Sequence, residues 1–422
     1  MKKITSSDIP KIIGTTSKIG LGNACAEPQT LIEYLIENKS SFSMLDLYGM
    51  IQYWTNRYFK ENLWENFKLK VFMVDRFTLE GTNRGFTEYI PCRYSNIPEL
   101  FTKGQIRLDV ALVSLSPPNS RGNCSFGVSS DYTTAIAKSA KTVIAEINQQ
   151  MPWVYGDNYI NINKIDYYIE TDRQLPQVQT EPFTDCDKKI GTNVSLLIDD
   201  GATIQIGMGR LSEAVLASLS GKRHIGVHSG LMSDGIVDLI EKGVIDNSRK
   251  GLKAGKTVTT TMIGTDKLYR FVHRNRNIEA FPSNYTHNLV TLAKVARLHA
   301  INSAIQVDLS GQINAETVDS TQVSGVGGQS DFINGAALSK DGKSIIVLPS
   351  SSKGESVSRI VPFLDRGAAV TSLRHDIDYV VTEQGIAYLR GKTLKERAKA
   401  LIEIANPKFR DWLDSERAKI FP

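Results

Sequence analysis

The chain has 422 residues, 41% hydrophobic and 23% charged, which suits a globular protein of about two or three domains and excludes a fibrous or largely disordered one. Its 50 Lys and Arg against 45 Asp and Glu leave +5, too small a surplus to argue for nucleic-acid or membrane binding, though it suits an anionic small ligand. Four cysteines (Cys25, Cys92, Cys124, Cys186) lie far apart with no CxxC pair, so neither a disulfide framework nor a zinc knuckle is indicated.

No run approaches the roughly 18 apolar residues of a membrane-crossing helix. Met1-Lys2-Lys3 leads into Ser6-Ser7-Asp8 where a signal peptide would be apolar, so a cytoplasmic location is expected. In chain order, the patterning predicts a helix at 31–35, strands at 70–74 and 110–115, a helix at 133–140 and a strand at 142–147. The strand bursts are short, apolar and end at turn residues, as in a mainly parallel sheet. Residues 172–189 hold two prolines, three glutamines and four acidic residues with little periodicity. They divide the chain into an amino domain (1–171), a linker (172–190) and a carboxyl domain (191–422). Alternation resumes with strands at 202–206, 258–263, 305–309, 344–348 and 379–382, and helices at 212–219, 236–241 and 394–404. The expected fold class is α/β, with two domains of similar size.

Four stretches could carry chemistry. In the first, an apolar strand runs into Gly207-Met208-Gly209, and a helix follows through Arg210 and Leu211, with Ser212 near its N-cap. Glycines let backbone amides approach a ligand, and a helix start favours an anion such as a diphosphate. An ordinary strand-to-helix turn explains the pattern equally well, and the third glycine of a dinucleotide fingerprint is missing. The second stretch, Gly325-Val326-Gly327-Gly328, is a side-chain-free strip before a helix beginning at Asp331; it suits an oxyanion hole, the passage of a thin ligand, or a plain loop. The third, from Ser116 to Gly127, follows a strand at the end where open α/β sheets bind ligands, and Cys124 within it reads as a packed thiol. The fourth holds His224 and His228, which in a strand stand about 13 Å apart, too far to share a metal ion.

Taken together, these stretches resemble the acetyl-CoA hydrolase/transferase family, which includes 4-hydroxybutyrate and butyrate CoA-transferases. The resemblance covers residues 22–413 and rests on motifs in order. Among them are Ser116-Pro117-Pro118 through Asp131-Tyr132, Met151-Pro152 with Tyr155-Gly156-Asp157, and Gly226-Val227-His228 with Ser233-Asp234-Gly235. Asp308-Leu309-Ser310-Gly311-Gln312, Gly325 to Phe332, Ser358-Arg359-Ile360-Val361-Pro362, Val381-Thr382-Glu383-Gln384-Gly385 and Asn406-Pro407-Lys408-Phe409-Arg410 follow. It implies two structurally related α/β domains of the CoA-transferase family I, NagB-like type, with mainly parallel sheets. Acyl-CoA would be a substrate held mostly by the carboxyl half, the amino half facing the acyl group and a small carboxylic acid. Gly207, Met208, Gly209, Arg210 and Leu211 match the CoA-binding loop, Gly327 and Gly328 the glycine loop beside the thioester, and Lys353 lies near the CoA nucleotide. No metal or redox cofactor is implied, and a homodimer is compatible with relatives that are often dimers.

Family members transfer CoA through a glutamate that becomes a glutamyl thioester. Here the run Gly226-Val227-His228-Ser229 continues to Gly230, so that carboxylate is absent. Three readings stay open. Another carboxylate could act, with Asp234, Glu316 and Asp331 the candidates; water could fill the vacated space, positioned by His228 or Asp234, making the protein a thioesterase; or the chain could bind CoA without catalysis. CoA transfer with an altered nucleophile site leads, and Gly230→Glu is expected to raise it if the pocket is otherwise intact.

Overall fold

Short apolar bursts separated by amphipathic segments assemble into two mainly parallel sheets in the computed structural model, which describes residues 1–58 and 60–422. One compact unit comprises residues 1–178 and 258–286, the other 179–257 and 287–422.

The first unit carries an eight-stranded sheet. Its order from one edge is Lys2–Lys3, Tyr167–Thr171, Thr142–Asn148, Val110–Leu115, Lys18–Leu21, Leu45–Gly49, Phe67–Val71 and Thr87–Tyr89, every neighbouring pair parallel. Val110–Leu115 is buried at every position, as a strand covered on both faces must be. Its side chains alternate between two cores, Leu112 joining Leu21, Leu47 and Leu69, and Val113 joining Phe72, Phe101 and Ile136. The strand expected at 70–74 lies earlier, at Phe67–Val71, because Lys68 and Lys70 alternate out of the core and pair with Glu88 and Asp46. Fully buried Asp131 ties this unit together. Its carboxylate accepts from Asn23 Nδ2 (2.6 Å), Ser129 Oγ (2.5 Å), the Thr133 amide and hydroxyl (both 2.8 Å), Tyr94 Oη (3.3 Å) and Thr261 Oγ1 (3.3 Å).

The second unit has a six-stranded sheet ordered Gly226–Val227, Thr203–Ile206, Leu298–Ser303, Lys343–Val347, Tyr379–Thr382 and Gly385–Tyr388. Only the last pair is antiparallel. The strand expected at 305–309 is the short Gln306–Asp308 of a separate three-stranded sheet; the main-sheet strand is Leu298–Ser303 just before it.

Two features depart from a division in sequence order. Helix Asp185–Leu197 begins inside the expected 172–190 linker, started by a capping box in which Thr184 Oγ1 accepts from the Asp187 amide (3.2 Å) and Asp187 accepts from the Thr184 amide (2.8 Å). Residues 258–286 return to the first unit, where Ile278–Ala280 pairs in parallel with Tyr155–Gly156. Among the described residues, no helix is long and apolar enough to cross a membrane.

Candidate functional site

The candidate site residues lie in the second unit, at the carboxyl ends of its parallel strands, where open α/β sheets present loops to ligands. Thr203–Ile206 runs into Gly207-Met208-Gly209 and helix Arg210–Ser218. Gly209 is the N-cap with φ 111°, a conformation that favours glycine, and the space above its Cα is open. Ser212 is therefore the third helical residue, near the cap as the sequence suggests. Met208 is exposed and Leu211 half-buried. The Arg210 guanidinium is engaged locally, Nε reaching Asp187 Oδ2 at 2.7 Å and Nη1 reaching Glu181 Oε2 at 3.3 Å.

Helix Arg210–Ser218 also carries Glu213, a buried carboxylate against Ser233, Asp234 and Gly235. Burial pushes its carboxyl up, opposed by hydrogen bonds from Ser233 and the Gly235 amide and reinforced by the charge of Asp234. A Cβ on Gly235 would stand 2.3 Å from Glu213 Oε2, so a side chain there would have to displace that carboxylate. Asp234 is the first residue of helix Asp234–Glu241, a position where a carboxylate offsets the helix dipole.

Between these elements runs His228-Ser229-Gly230. The buried His228 donates its amide to Ile204 O (3.2 Å). Ser229 Oγ donates to Ile206 O (3.0 Å) and accepts from the amides of Ile206 and Leu231 (both 3.3 Å), pinning the loop to the end of the strand. The side-chain space at Gly230 is not vacant. A Cβ built there would stand 2.6 Å from Nε2 and 2.8 Å from Cε1 of His287. A Cβ on Gly328 would likewise lie 2.6 Å from both Cδ2 and Nε2 of the same ring. The imidazole, 1% exposed, packs edge-on to Phe332 with centroids 4.6 Å apart. The imidazole of His287 therefore packs against the backbone at both glycines.

Gly328 caps helix Gln329–Leu338, which starts before the expected Asp331, and Gly327 has φ 51°. Upstream, buried Glu316 braces the strip: its carbonyl accepts the amides of Val323 (2.8 Å) and Ser324 (3.0 Å), and its carboxylate accepts from Gln322 Nε2 (3.4 Å). Beneath the loops, Gln205 and Asn302 exchange amide hydrogen bonds of 3.3 and 3.0 Å across adjacent strands. Lys353 is exposed in the turn closed by the Ser351–Ser358 bridge. That turn is anchored at Glu383, which accepts from the Ser350 amide (2.9 Å) and hydroxyl. Burial would raise the Glu383 carboxyl, but the Ser350 hydrogen bonds leave it below its ordinary value. The nearby Cys186 thiol is pushed up to about 12, first by burial and then by Glu383.

The structure thus joins Gly230 to Gly328 through His287, and Asp234 to the Gly207–Leu211 turn through Glu213. His287 was missed by sequence reasoning. It sits just ahead of Asn288, the side-chain cap of helix Leu289–Leu292, and nothing local marks it as more than a residue in a turn. Among the described residues, no cluster of three or more His, Cys, Asp or Glu is arranged to hold a metal ion.

The N-terminal domain of the acetyl-CoA hydrolase/transferase family matches residues 1–178, and its C-terminal domain matches 264–417. A 4-hydroxybutyrate coenzyme A transferase from Clostridium kluyveri is 44% identical over 420 residues, spanning 100% of this chain and 98% of its own. Among solved structures, RipA from Yersinia pestis superposes with a TM-score of 0.93 at 31% identity, over 99% of this chain and 97% of that one. A 4-hydroxybutyrate CoA-transferase from Porphyromonas gingivalis does so with a TM-score of 0.85 at 35% identity, over 100% and 98%.

Proposed function

Because the chain belongs to the acetyl-CoA hydrolase/transferase family, we propose that it is an acyl-CoA:carboxylate CoA-transferase acting on a small carboxylic acid, with its nucleophile site altered at Gly230. The observation that carries this reading is the full-length match to a CoA-transferase together with an intact glycine turn at 207–209 and glycine strip at 325–328. CoA is long, thin and polyanionic. Amides at the start of helix Arg210–Ser218 are oriented to meet its phosphates, and Lys353 is free to swing toward them. In that role Arg210 acts through its backbone, since its guanidinium is held by Asp187 and Glu181. Gly327 and Gly328 would admit the thioester, and Glu316 would hold the strip in place rather than attack.

Glycine at 230 has no carboxylate to carry CoA, and that favours a second reading, hydrolysis of acyl-CoA with water in place of the acceptor acid. One experiment separates the two. Purified protein is given a panel of acyl-CoAs with and without short carboxylic acids, and the CoA species are followed by mass spectrometry. New acyl-CoAs that appear only with an acceptor acid support transfer. Free CoA released equally with and without acceptor supports hydrolysis and overturns transfer.

A further inference from the structure

We propose that a cavity built wholly from residues of the first unit binds a small monocarboxylate with an apolar body. It is a binding site whose residues are separate from the turns at 207–211 and 325–328, so it stands whether the chain transfers CoA or hydrolyses its thioesters. The cavity holds about 310 Å³, and its lining residues all fall within 1–178 and 258–286. It lies where strands Thr142–Asn148 and Tyr167–Thr171 end, joined there by the Gln149 amide donating to Thr171 O (2.9 Å). Carboxyl ends of parallel strands are where open sheets take ligands, and the volume sits at the lower limit of the roughly 300–1,000 Å³ of small-molecule sites.

The cavity has two chemistries. Its floor is apolar: Met151, Pro152 and Leu175 are buried, and Tyr269 adds a ring whose hydroxyl is already committed to Pro176 O (2.6 Å). Its wall is polar, and backbone amides decide what that wall offers. Gln177 Oε1 accepts the Asp266 amide (3.3 Å), which leaves the side-chain NH2 group to donate. His273 Nδ1 accepts the Trp153 amide (3.2 Å), which puts the ring proton on Nε2 and makes that nitrogen a donor. Burial, and then the charge of Arg274, hold the His273 pKa below its ordinary value, so the ring keeps this neutral tautomer. Asp266 is paired with Arg270, whose guanidinium carries further N–H groups. Gln149 and Gln174 can present either end of their amides, and Gln150 is turned by Asp172, which its Nε2 meets at 2.5 Å.

Two side chains able to donate or accept are thus fixed as donors, and the carboxylate of the wall is neutralised. Such a wall suits an anion rich in acceptor oxygens, while the floor suits carbon. A carboxylate on a short apolar chain meets both. Asp266 and Arg270 cancel and His273 is neutral, so the lining carries no net charge, which favours a monoanion over a doubly charged phosphate. Gln174, Leu175 and Gln177 come from the stretch whose composition reads as linker, and the cavity gives those glutamines a role.

The test is photolabelling of the full chain with a diazirine analogue of hexanoic acid, followed by peptide mapping by mass. The label is expected on peptides holding residues 149–152, 174–177 or 266–273. Hexanoate should compete it away, whereas hexanol and inorganic phosphate should not. Gln177→Leu and His273→Phe are changes at exposed positions, so they test the donors rather than the core. Each should raise the hexanoate concentration that halves this labelling by roughly ten-fold, the loss of one hydrogen bond to a charged group. Values in both variants within about two-fold of the parent overturn the proposal, as does competition by phosphate or hexanol equal to that of hexanoate. Label confined to peptides holding 207–211 or 325–328 overturns it and leaves the transferase reading standing. Label in the first unit of a protein that turns over no acyl-CoA supports it and removes the transferase reading.

Discussion

Asp131 in the first unit and His287 in the second are both buried, and their surroundings differ. The Asp131 carboxylate is surrounded by donors from five residues, so its charge is held by hydrogen bonds and fixes the chain around it. His287 is packed against two missing side chains and the edge of a phenyl ring. The contrast separates two uses of a buried polar group. A carboxylate saturated with donors anchors a fold, whereas a ring lodged against glycine backbone limits which side chains can stand beside it.

The sharpest way to break this comparison is at Asp131. Asp131→Ala leaves the amides and hydroxyls gathered around it without their acceptor, and should cost about 3–5 kcal/mol in urea unfolding. A loss below about 1 kcal/mol would remove Asp131 from its anchoring role.

Next comes Gly230→Ala, whose methyl would meet His287 Nε2 at 2.6 Å. Overpacking should cost about 1–3 kcal/mol, and His287→Ala in the same chain should relieve much of it. Additive effects in the double-mutant cycle would mean that the ring is not what fills the space. By the same geometry, Gly230→Glu alone is not expected to raise transfer, contrary to the expectation from sequence. Gly230→Glu combined with His287→Gly should, through a CoA adduct on the new glutamate that borohydride reduces.

A buried group with fewer donors sharpens the contrast further. Glu27 accepts from the amides of Tyr53 (2.8 Å) and Trp54 (3.5 Å), and burial raises its pKa from 4.5 to about 8. The folded state therefore holds a proton that the unfolded state has released. Stability falls as pH rises from about 4.5 to about 8 and is level above that. Glu27→Gln should remove this loss, gaining on the order of 1 kcal/mol near pH 8.5 and little near pH 4.5. Equal melting temperatures of parent and variant at both pH values would contradict it. The smallest effect is expected at a purely local signal: Thr184→Ala breaks the capping box of helix Asp185–Leu197 and should cost about 1 kcal/mol by urea titration.

Much of the site's backbone was legible because it is written in short-range terms. The Gly207-Met208-Gly209 turn follows from an apolar strand meeting a helix, and Gly209, with its positive φ, supplies the cap a turn ahead of Ser212. The glycine strip and the absence of a carboxylate at 230 were equally plain. The packing of His287 against position 230 was not, because it lies far from Gly230 in sequence, in a turn with its own local explanation. Thr184 and Asp187 did announce a helix start, but the polar composition around them read as linker.

By itself, then, the sequence determined a parallel α/β architecture, the glycine turns and the family, since periodicity, turn chemistry and motif order are properties of neighbouring residues. Tertiary structure alone decided that residues 258–286 join the first unit and that an imidazole stands where a side chain is missing. Both depend on close packing, in which the space available to one residue is set by residues the chain brings back from far away.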